Sequence, residues 1–422
     1  MSGRAATEGI IPGRFGLSVG QPDIVPPSGW RWVQLTDVAR LESGHTPSRR
    51  KPAYWDGDVP WIGIKDARLH HGRVIEDTIQ HTTPLGIENS SARILPAGTV
   101  CLSRTASVGY IMMMGQPMAT SQDFVNWVCG PDIDARFLMM LLIAEQDSLL
   151  SFASGTTHQT IYFPEVKAFH VCLPPIDEQR RIAAVLGALD DKIDHNRRMN
   201  RTLEATAQAL FHERFVAPLA AVSAALSDGW RIEPLDGVAH FLNGTACQKH
   251  PAVEGKPSLP VIKIRELRNG ITETTDRATP DVPDKYRVED GDVLFSWSGS
   301  LLAKVWTGGV GLLNQHLFKV TSDRFPRWFY LLWVQHHLDE FQRIAAAKAT
   351  TMGHIKRRHL SDAKVAIPPA DVLVDLDRQF EPLIDRHIAN ELQSRALAET
   401  RDALLPELVS GRLRVPEAIA VG

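Results

Sequence analysis

The chain has 422 residues, of which 44% are hydrophobic and 23% are charged, and its formal net charge at pH 7 is −3. This length exceeds what one hydrophobic core usually serves, so we expect two or three domains. The composition excludes a largely disordered or collagen-like chain. The charge excludes a uniformly basic nucleic-acid coat but leaves room for local basic patches.

Nothing in the sequence indicates a membrane or secreted protein. The longest fully apolar run, Phe137 to Ala144, is far shorter than a membrane span, and the beginning of the chain has no apolar segment typical of a signal peptide. The cysteines form no CxxC pair and their spacings fit no metal site. A reduced, cytoplasmic setting is therefore expected.

In chain order, residues 1–28 form a Pro- and Gly-rich segment that we predict to be an N-terminal tail. Residues 29–174 then alternate β-rich and helical stretches, which predicts a globular α/β module. Its predicted strands and helix, bounded by Gly, Pro or Asp, are Val59 to Ile64, Thr99 to Ser103, Phe124 to Val128 and Arg136 to Leu150.

A long central helix is predicted for residues 175–216. It follows Pro174-Pro175, and Asp177 is a good N-cap residue. Beyond Asp177, apolar side chains recur at alternating steps of four and three, which is a heptad seam, and Asn196 and Asn200 interrupt the middle of this seam.

The remainder of the chain repeats this plan. Trp30-Arg31 recurs as Trp230-Arg231 at an offset of 200, and Ser103 and Gln122 recur as Ser296 and Gln315 at an offset of 193. Because such matches keep their order and nearly their spacing, we predict a duplicated domain. The second module covers residues 217–368, with a helix over Arg327 to Ala347, and a second long helix with a tail covers 369–422.

A heptad seam is most simply an amphipathic helix packed on its own domain. Two matched seams favour an antiparallel coiled coil instead, although Pro382 should kink the second helix or mark its start. The sequence thus predicts an α+β fold, with two pseudo-twofold-related α/β modules separated by two long antiparallel coiled-coil helices. The apolar seam positions are Ile182, Leu186, Leu189, Ile193, Leu203 and Leu210 in the first helix and Leu376, Phe380, Leu383, Leu397 and Leu404 in the second.

This organisation resembles the specificity subunit of a Type I restriction-modification enzyme. The resemblance covers most of the chain and rests on the ordered set of motifs more than on any one of them. The matching segments are Trp30-Arg31, Pro60-Trp61-Ile62, Leu102 to Gly109, Ser154-Gly155-Thr156, Leu173 to Gln179 and Arg401 to Pro406 with Ser410-Gly411. The second module departs from the pattern, since Ala370-Asp371-Val372 follows its Pro-Pro without a Glu-Gln pair.

The resemblance implies a non-catalytic DNA-binding protein of the bacterial or archaeal cytoplasm, associated with the nucleoid. Each module is then a target recognition domain that reads one half of a bipartite double-stranded DNA target. The two helices, to whose apolar seams we assign partner binding, dock two methyltransferase subunits and set the spacer length. S-adenosylmethionine is bound by the methyltransferase partner, ATP and Mg by separate restriction subunits, and neither cofactor nor metal by this chain.

The motifs of an enzyme are missing from the sequence. An amino-methyltransferase needs Asn/Asp-Pro-Pro-aromatic, whereas the two Pro-Pro sites here are Leu173-Pro174-Pro175-Ile176 and Ile367-Pro368-Pro369-Ala370. The sequence also contains no Gly-x-Gly-x-x-Gly and no phosphate-binding loop of the Walker type. Two alternatives nevertheless stay open: a stand-alone or fused modification enzyme, and an adaptor whose modules bind protein.

Candidate DNA contacts are basic or amide side chains that occupy corresponding places in the two modules. Lys and Arg suit phosphates, Arg suits guanine and Gln suits adenine, although each such residue is singly also typical of a solvated surface. The candidates are Lys65, Arg68, Ser103, Arg104, Gln122, His158 and Gln159 in the first module, and Arg265, Arg268, Ser296, Ser298, Gln315, His316, Lys348, Thr350, Thr351, His354, Lys356 and Arg357 in the second. Arg49-Arg50-Lys51 is a further basic patch, present in the first module only.

Overall fold

The computed structural model describes residues 9–155, 159–217, 229–347 and 353–417. By its internal contacts the chain divides into two compact units, Met1–Asp191 with Ala398–Gly422, and Lys192–Leu397. Each unit therefore combines one sheet-rich module with part of both long helices. The predicted module boundaries at residues 28, 174, 216 and 368 stay predictions.

In the first unit the described residues form three sheets. Their strands, in chain order, are β1 (Ile11–Pro12), β2 (Leu17–Val19), β3 (Arg31–Gln34), β4 (Ala39–Ser43), β5 (Trp55–Ile62), β6 (Val74–Ile75), β7 (Gln80–Thr82), β8 (Val100–Ser103), β9 (Ile111–Met114), β10 (Ala119–Thr120), β11 (Phe124–Cys129) and β12 (Phe169–Leu173). The strand orders are β1-β2-β12-β3, β10-β5-β7 and β4-β11-β8-β9-β6. The three predicted strands are confirmed, to within a few residues at their ends, as β5, β8 and β11.

Short helices cover these sheets. They are α1 (Leu35–Val38), α2 (Ile64–Leu69), α3 (Pro84–Glu88), α4 (Ala135–Ala144), α5 (Gln146–Phe152) and α6 (Phe163–Lys167). The helix predicted over residues 136–150 is thus two helices, broken at Glu145, whose backbone leaves the helical region at φ −92° and ψ 16°. Its carboxylate instead accepts hydrogen bonds from the backbone amides of residues 14 to 17.

The second unit repeats this architecture. Its strands are β13 (Arg231–Pro234), β14 (His240–Asn243), β15 (Leu259–Ile262), β16 (Arg277–Ala278), β17 (Arg287–Val288), β18 (Val293–Ser296), β19 (Ala303–Val305), β20 (Gly311–Leu313), β21 (Leu317–Thr321) and β22 (Lys364–Ile367). They form sheets of order β13-β22, β14-β21-β18-β19 and β16-β15-β20-β17. The parallel pair β15/β20 matches β5/β10 in the first unit, so the duplication is confirmed at the level of topology.

The helices of the second unit correspond as well. They are α8 (Leu235–Val238), α9 (Ile264–Asn269), α10 (Arg327–His336), α11 (Leu338–Ala346) and α12 (Arg357–Asp362). The helix predicted over residues 327–347 is broken at His337, whose side chain bonds the carbonyl oxygen of Lys364 at 2.9 Å. Each module buries large aromatic side chains in its core, Trp127 and Phe137 in the first and Trp328 and Trp333 in the second.

The segment predicted as an N-terminal tail contributes two strands to the first unit. β2 pairs antiparallel with β12, and its Leu17 and Val19 are almost fully buried. Sequence patterning did not predict these strands because β1 and β2 have only two and three residues, too few to show a period. Their position depends instead on a contact with Glu145, far along the chain.

Two long helices follow the two modules, α7 (Ile176–Phe211), continued by a π-helical turn at His212–Val216, and α13 (Ala370–Val409). Asp177 lies in the first turn of α7 and is not its N-cap, since the carbonyl of Pro175 already accepts the amides of Glu178 and Gln179. Pro382 does not mark the start of the second helix, because α13 begins at Ala370 and runs through the proline. The predicted kink stays a prediction. Burial of the neighbouring Phe380 and Ile384 in the module core outweighs the local cost of the proline.

The predicted antiparallel pairing of the helices is confirmed inside the second unit. Asn196 bonds the carbonyl of Asn390, whereas Asn200, one turn later on α7, bonds the carbonyl of His387, which is earlier on α13. Asn390 in turn donates to the side-chain oxygen of Asn200 at 2.8 Å. These buried asparagines form a polar layer, an arrangement that fixes the register of paired helices.

Candidate nucleic-acid interface

A buried serine braces the same turn in both modules. Ser103 Oγ donates to the carbonyl of Ser107 at 2.6 Å and accepts from the amide of Tyr110 at 2.9 Å. In the second module Ser296 Oγ donates to the carbonyl of Ser300 and accepts from the amide of Leu302, both at 2.8 Å. Both serines are fully buried, so these hydroxyls shape the turn and are not exposed contacts as the sequence suggested.

Backbone hydrogen bonds then bring two further predicted segments to each turn. In the first module the amide of Arg104 donates to the carbonyl of Asp123, and the carbonyl of Arg104 accepts from the amide of Ile161 at 2.9 Å. In the second module Trp297 makes the same two bonds, to His316 and from Ile355. The turn, the residues after Gln122 or Gln315, and the segment near residues 159–161 or 353–355 therefore form one surface in each module.

A cation and an aromatic side chain occupy opposite positions on this surface in the two modules. Arg104 lies over the ring of Phe163 at 4.7 Å and donates to the carbonyl of Gln122, and burial lowers the pKa of this guanidinium despite the opposing charge of Asp123. At the corresponding positions the second module has Trp297 and Arg357. The cation and the aromatic ring are thus reversed. Sequence analysis missed Trp297 and Phe163, although the repeat offsets of 193 and 194 align them with Arg104 and Arg357.

Polar side chains fill the centre of the second surface. Ser298 Oγ bonds His316 Nδ1 at 3.0 Å, and the backbones of Ser298 and His354 pair in a single antiparallel β-bridge. Gln315 contributes its carbonyl, which accepts the indole N–H of Trp297 at 3.2 Å. In the first module Thr105 and Thr160 stand at the positions of Ser298 and His354, and their hydroxyls bond each other at 3.0 Å. The two surfaces therefore offer different donors and acceptors.

Candidate cations occupy corresponding short helices in the two modules. Lys65 and Arg68 lie on α2, and Arg265 and Arg268 lie on α9, so the predicted loop after the strand is a short helix in each module. Arg68 and Lys65 are exposed, whereas Arg265 is tied to Glu266 at 2.8 Å and to the carbonyl of Thr274.

Arg268 opens onto a cleft of about 380 Å³ in the second module. The cleft is lined by Arg268, Gly299, Ser300, Leu301, Gln342, Ala345, Ala346 and Gly353. Because its lining combines a cation with residues of the braced turn, this cleft is suitable for an anionic or hydrogen-bonding group.

Two further candidate cations of the second module lie at the beginning of α12. Lys356 is exposed just before the helix. Arg357 donates to the carbonyl of Phe241 at 3.2 Å and lies 5.8 Å from the centre of the Phe318 ring, so part of its role is to hold the segment in place.

Two amide candidates lie on the surface of the first module, where the carbonyl of Gln122 accepts from Arg104 and Gln159 immediately precedes Thr160. Gln159 and Gln122 are exposed, and Gln122 accepts a hydrogen bond from Thr46. His158, Lys348, Thr350 and Thr351 lie outside the described residues.

The apolar seam residues assigned to partner binding pack mainly inside the chain. Ile182 and Leu186 belong to the core of the first unit, Leu376 and Phe380 belong to that of the second, and Ile193 is buried. The half-buried members are Leu189, Leu203, Leu210, Leu383, Leu397 and Leu404. The buried members of the seam therefore pack within the chain, and partner binding by the half-buried members stays a prediction.

Three of the four cysteines have thiols whose pKa is raised by burial. Burial raises the pKa of the Cys129 and Cys172 thiols to about 12 and raises that of Cys101 further. A thiol is a nucleophile only as its thiolate, so these groups are inert at neutral pH. Within the described ranges no cluster of three or more His, Cys, Asp or Glu side chains could hold a metal ion, and no helix is long and apolar enough to cross a membrane.

Comparison with known families identifies the chain. The family model described as the Type I restriction modification DNA specificity domain matches twice, at residues 27–205 and 227–390. The chain belongs to this family. It is a specificity subunit of a Type I restriction-modification system with repeated DNA-recognition domains, and the predicted resemblance is confirmed.

Individual relatives of this specificity subunit are distant. It is 26% identical over 410 residues to the Type I restriction enzyme MjaIX specificity subunit of Methanocaldococcus jannaschii, covering 93% of this chain and 95% of that protein. It is 22% identical over 354 residues to the HindI specificity subunit of Haemophilus influenzae, covering 66% of this chain and 77% of that one.

A solved structure supports the fold. The crystal structure of a Type I restriction-modification system S subunit from M. genitalium superposes with a TM-score of 0.58 at 15% identity, covering 92% of this chain and 98% of that chain. At this identity the likeness bears on the fold alone.

Proposed function

We propose that each module reads one half of a bipartite double-stranded DNA target, through the surface built on the braced turn. The observation that carries this proposal is that the two modules share the same backbone arrangement at the turn but present different side chains on it. The turn bonds of Ser103 and Ser296 are repeated, whereas Arg104 is replaced by Trp297. Two modules that read different base sequences need the same backbone support but different hydrogen-bonding side chains.

Chemistry is assigned to partner subunits. We propose that two methyltransferase subunits, which bind S-adenosylmethionine, dock on the exposed faces of α7 and α13, because the apolar seams of these helices are occupied within the chain. Restriction subunits, using ATP and Mg, join the complex separately. This chain then supplies recognition in the cytoplasm and no catalytic group, in keeping with the absence of methyltransferase and nucleotide-binding motifs from its sequence.

The long helices also set the spacer between the half-sites in this proposal. α7 and α13 have 36 and 40 residues without a break. A continuous helix has a defined rise of about 1.5 Å per residue and resists compression, so its length is suited to set a distance.

We expect Lys356→Ala to weaken binding of all DNA sequences about equally. Lys356 is exposed at the start of α12, where a phosphate contact is the natural role of a cation. Loss of one phosphate contact should reduce the slope of log K against log salt concentration by about 0.9. The measurement is a salt titration of DNA binding by the chain assembled with its methyltransferase partner.

Lys364→Ala is the matched control, since Lys364 is an exposed lysine of the same module on β22, which pairs with β13 and not with the strands of the turn. Its slope should equal that of the wild type. Binding that hardly depends on salt in the wild type would instead favour an adaptor whose modules bind protein.

A further inference from the structure

The basic patch of the first module contains an arginine held by two tryptophans. The Arg49 guanidinium carbon lies 3.8 Å from the ring centre of Trp55 and 4.8 Å from that of Trp61. The two indoles meet edge to face, with their ring centres 5.2 Å apart and their planes at 89°. Arg49 is therefore in contact with two aromatic rings while it remains exposed.

Hydrogen bonds fix both rings and the loop that carries the arginine. The indole N–H of Trp55 donates to the carbonyl of Ser48 at 3.3 Å, and that of Trp61 donates to the carbonyl of His45 at 3.1 Å. Trp61 is also only 4% exposed. The support is thus part of the folded module, and little side-chain entropy remains for Arg49 to lose on binding.

A guanidinium supported in this way keeps its donors for a ligand. Its N–H groups point outward in the plane of the group, whereas stacking engages its faces. One of its five donors bonds Gln80 Oε1 at 3.0 Å. The free edge matches the O6 and N7 acceptors of guanine in the major groove, the commonest specific arginine contact.

The arginine belongs to the same surface as the braced turn. Thr46, in the same loop, donates to the side chain of Gln122, and the carbonyl of Gln122 accepts from Arg104. A DNA half-site lying on the turn is therefore within reach of this loop.

The second module lacks this arrangement. At the positions 200 residues further on it has Lys249, Gly255 and Val261 in place of Arg49, Trp55 and Trp61. The feature thus distinguishes one half-site from the other and is not part of the shared frame.

We propose that Arg49 reads a guanine in the half-site bound by the first module, and that Trp55 is its positioning residue. This proposal rests on the function proposed above, because it needs the first module to bind DNA.

The test measures binding of the chain, assembled with its methyltransferase partner, to DNA libraries randomised in one half-site at a time. Arg49→Ala should lose the preference for guanine at one base pair of a single half-site, by about 5- to 150-fold. Arg49→Lys keeps the charge but not the planar fork, so it should recover overall affinity more than discrimination. Trp55→Leu should reduce the preference at the same base pair by a smaller factor.

Arg50→Ala is the matched control, because it removes the same charge from the next residue of the loop, which is equally exposed. It should leave every base preference as in the wild type. The proposal fails if Arg49→Ala behaves like Arg50→Ala, with a uniform loss of affinity and a shallower salt slope, or if it changes nothing.

Different outcomes would overturn the proposed function and the role of Arg49. A wild-type complex that shows no sequence preference in either half-site would overturn the proposed function and the role of Arg49 with it. A wild-type complex with clear preferences that Arg49→Ala leaves intact would overturn the role of Arg49 alone. Thermal unfolding of each variant shows whether it is folded, and Arg49→Lys provides the second variant if Arg49→Ala is not.

Discussion

Replacing Glu145 with alanine is expected to destabilise the first unit by about 3 kcal/mol or more, a change of over 100-fold in its folding equilibrium. The Glu145 carboxylate is fully buried and accepts the amides of Phe15 and Gly16 at 2.6 Å, those of Arg14 and Leu17 at 2.8 and 3.1 Å, and the hydroxyl of Ser148. Alanine leaves these donors without their acceptor, and each buried unpaired donor costs about 1–3 kcal/mol.

Chemical denaturation and amide hydrogen exchange measure this effect. Asp147→Ala is the matched control, because Asp147 is a nearby carboxylate whose side chain is 84% exposed and whose ion pair with Arg14 is long, at 3.8 Å. Such surface pairs contribute about 0–1 kcal/mol. Glu145→Ala should also abolish exchange protection of residues 14–19, whereas equal effects of the two substitutions would show that Glu145 does not anchor these strands.

A four-residue insertion in both long helices should change the DNA target without changing either half-site. The insertions belong between Asp191 and Lys192 in α7 and between Leu397 and Ala398 in α13, where the two compact units divide. The contacts of Asp190 with Arg401 in the first unit, and of Asn200 with Asn390 in the second, then stay within their units.

Four residues add about 6 Å to a helix. At about 3.4 Å per base pair, the spacer should lengthen by one or two base pairs, and methylation at the original spacing should be lost. Sequencing of methylated adenines in cells carrying the variant and its partners measures the spacing. Insertion in α7 alone serves as the comparison, since it shifts one helix past the other and should impair assembly. An unchanged spacer in the double insertion would show that the helices do not set the distance.

The sequence predicted the architecture where the information was repeated or periodic. The offset of 200 between Trp30 and Trp230 predicted the duplicated topology, and the seam with Asn196 and Asn200 predicted the antiparallel helices. Local rules failed where distant contacts dominate. Pro382 suggested a kink or the start of the second helix, but α13 begins earlier, at Ala370, and continues past the proline while Phe380 is buried in the core. Strand β2 likewise depends on a distant contact, with Glu145.

The candidate site was predicted less completely, because residue type does not reveal which hydrogen bonds a side chain makes within the protein. Ser103 and Ser296 were chosen as DNA contacts, yet their hydroxyls are used by the turns they brace. Arg49 looked like one cation in a patch, since nothing local shows that Trp61, twelve residues later, lies beside it. For most of the other candidates, contact with a phosphate or with a base stays a prediction.

Exchanging one module tests the central claim most directly. Residues 30–173 of this chain would be replaced by the corresponding module of a relative with a different target, and methylated adenines would be mapped in cells that carry the hybrid with its methyltransferase partner. We predict that one half of the bipartite target takes the sequence read by the relative, while the other half keeps its own sequence. A change in both halves, or in neither, would contradict independent reading by the two modules.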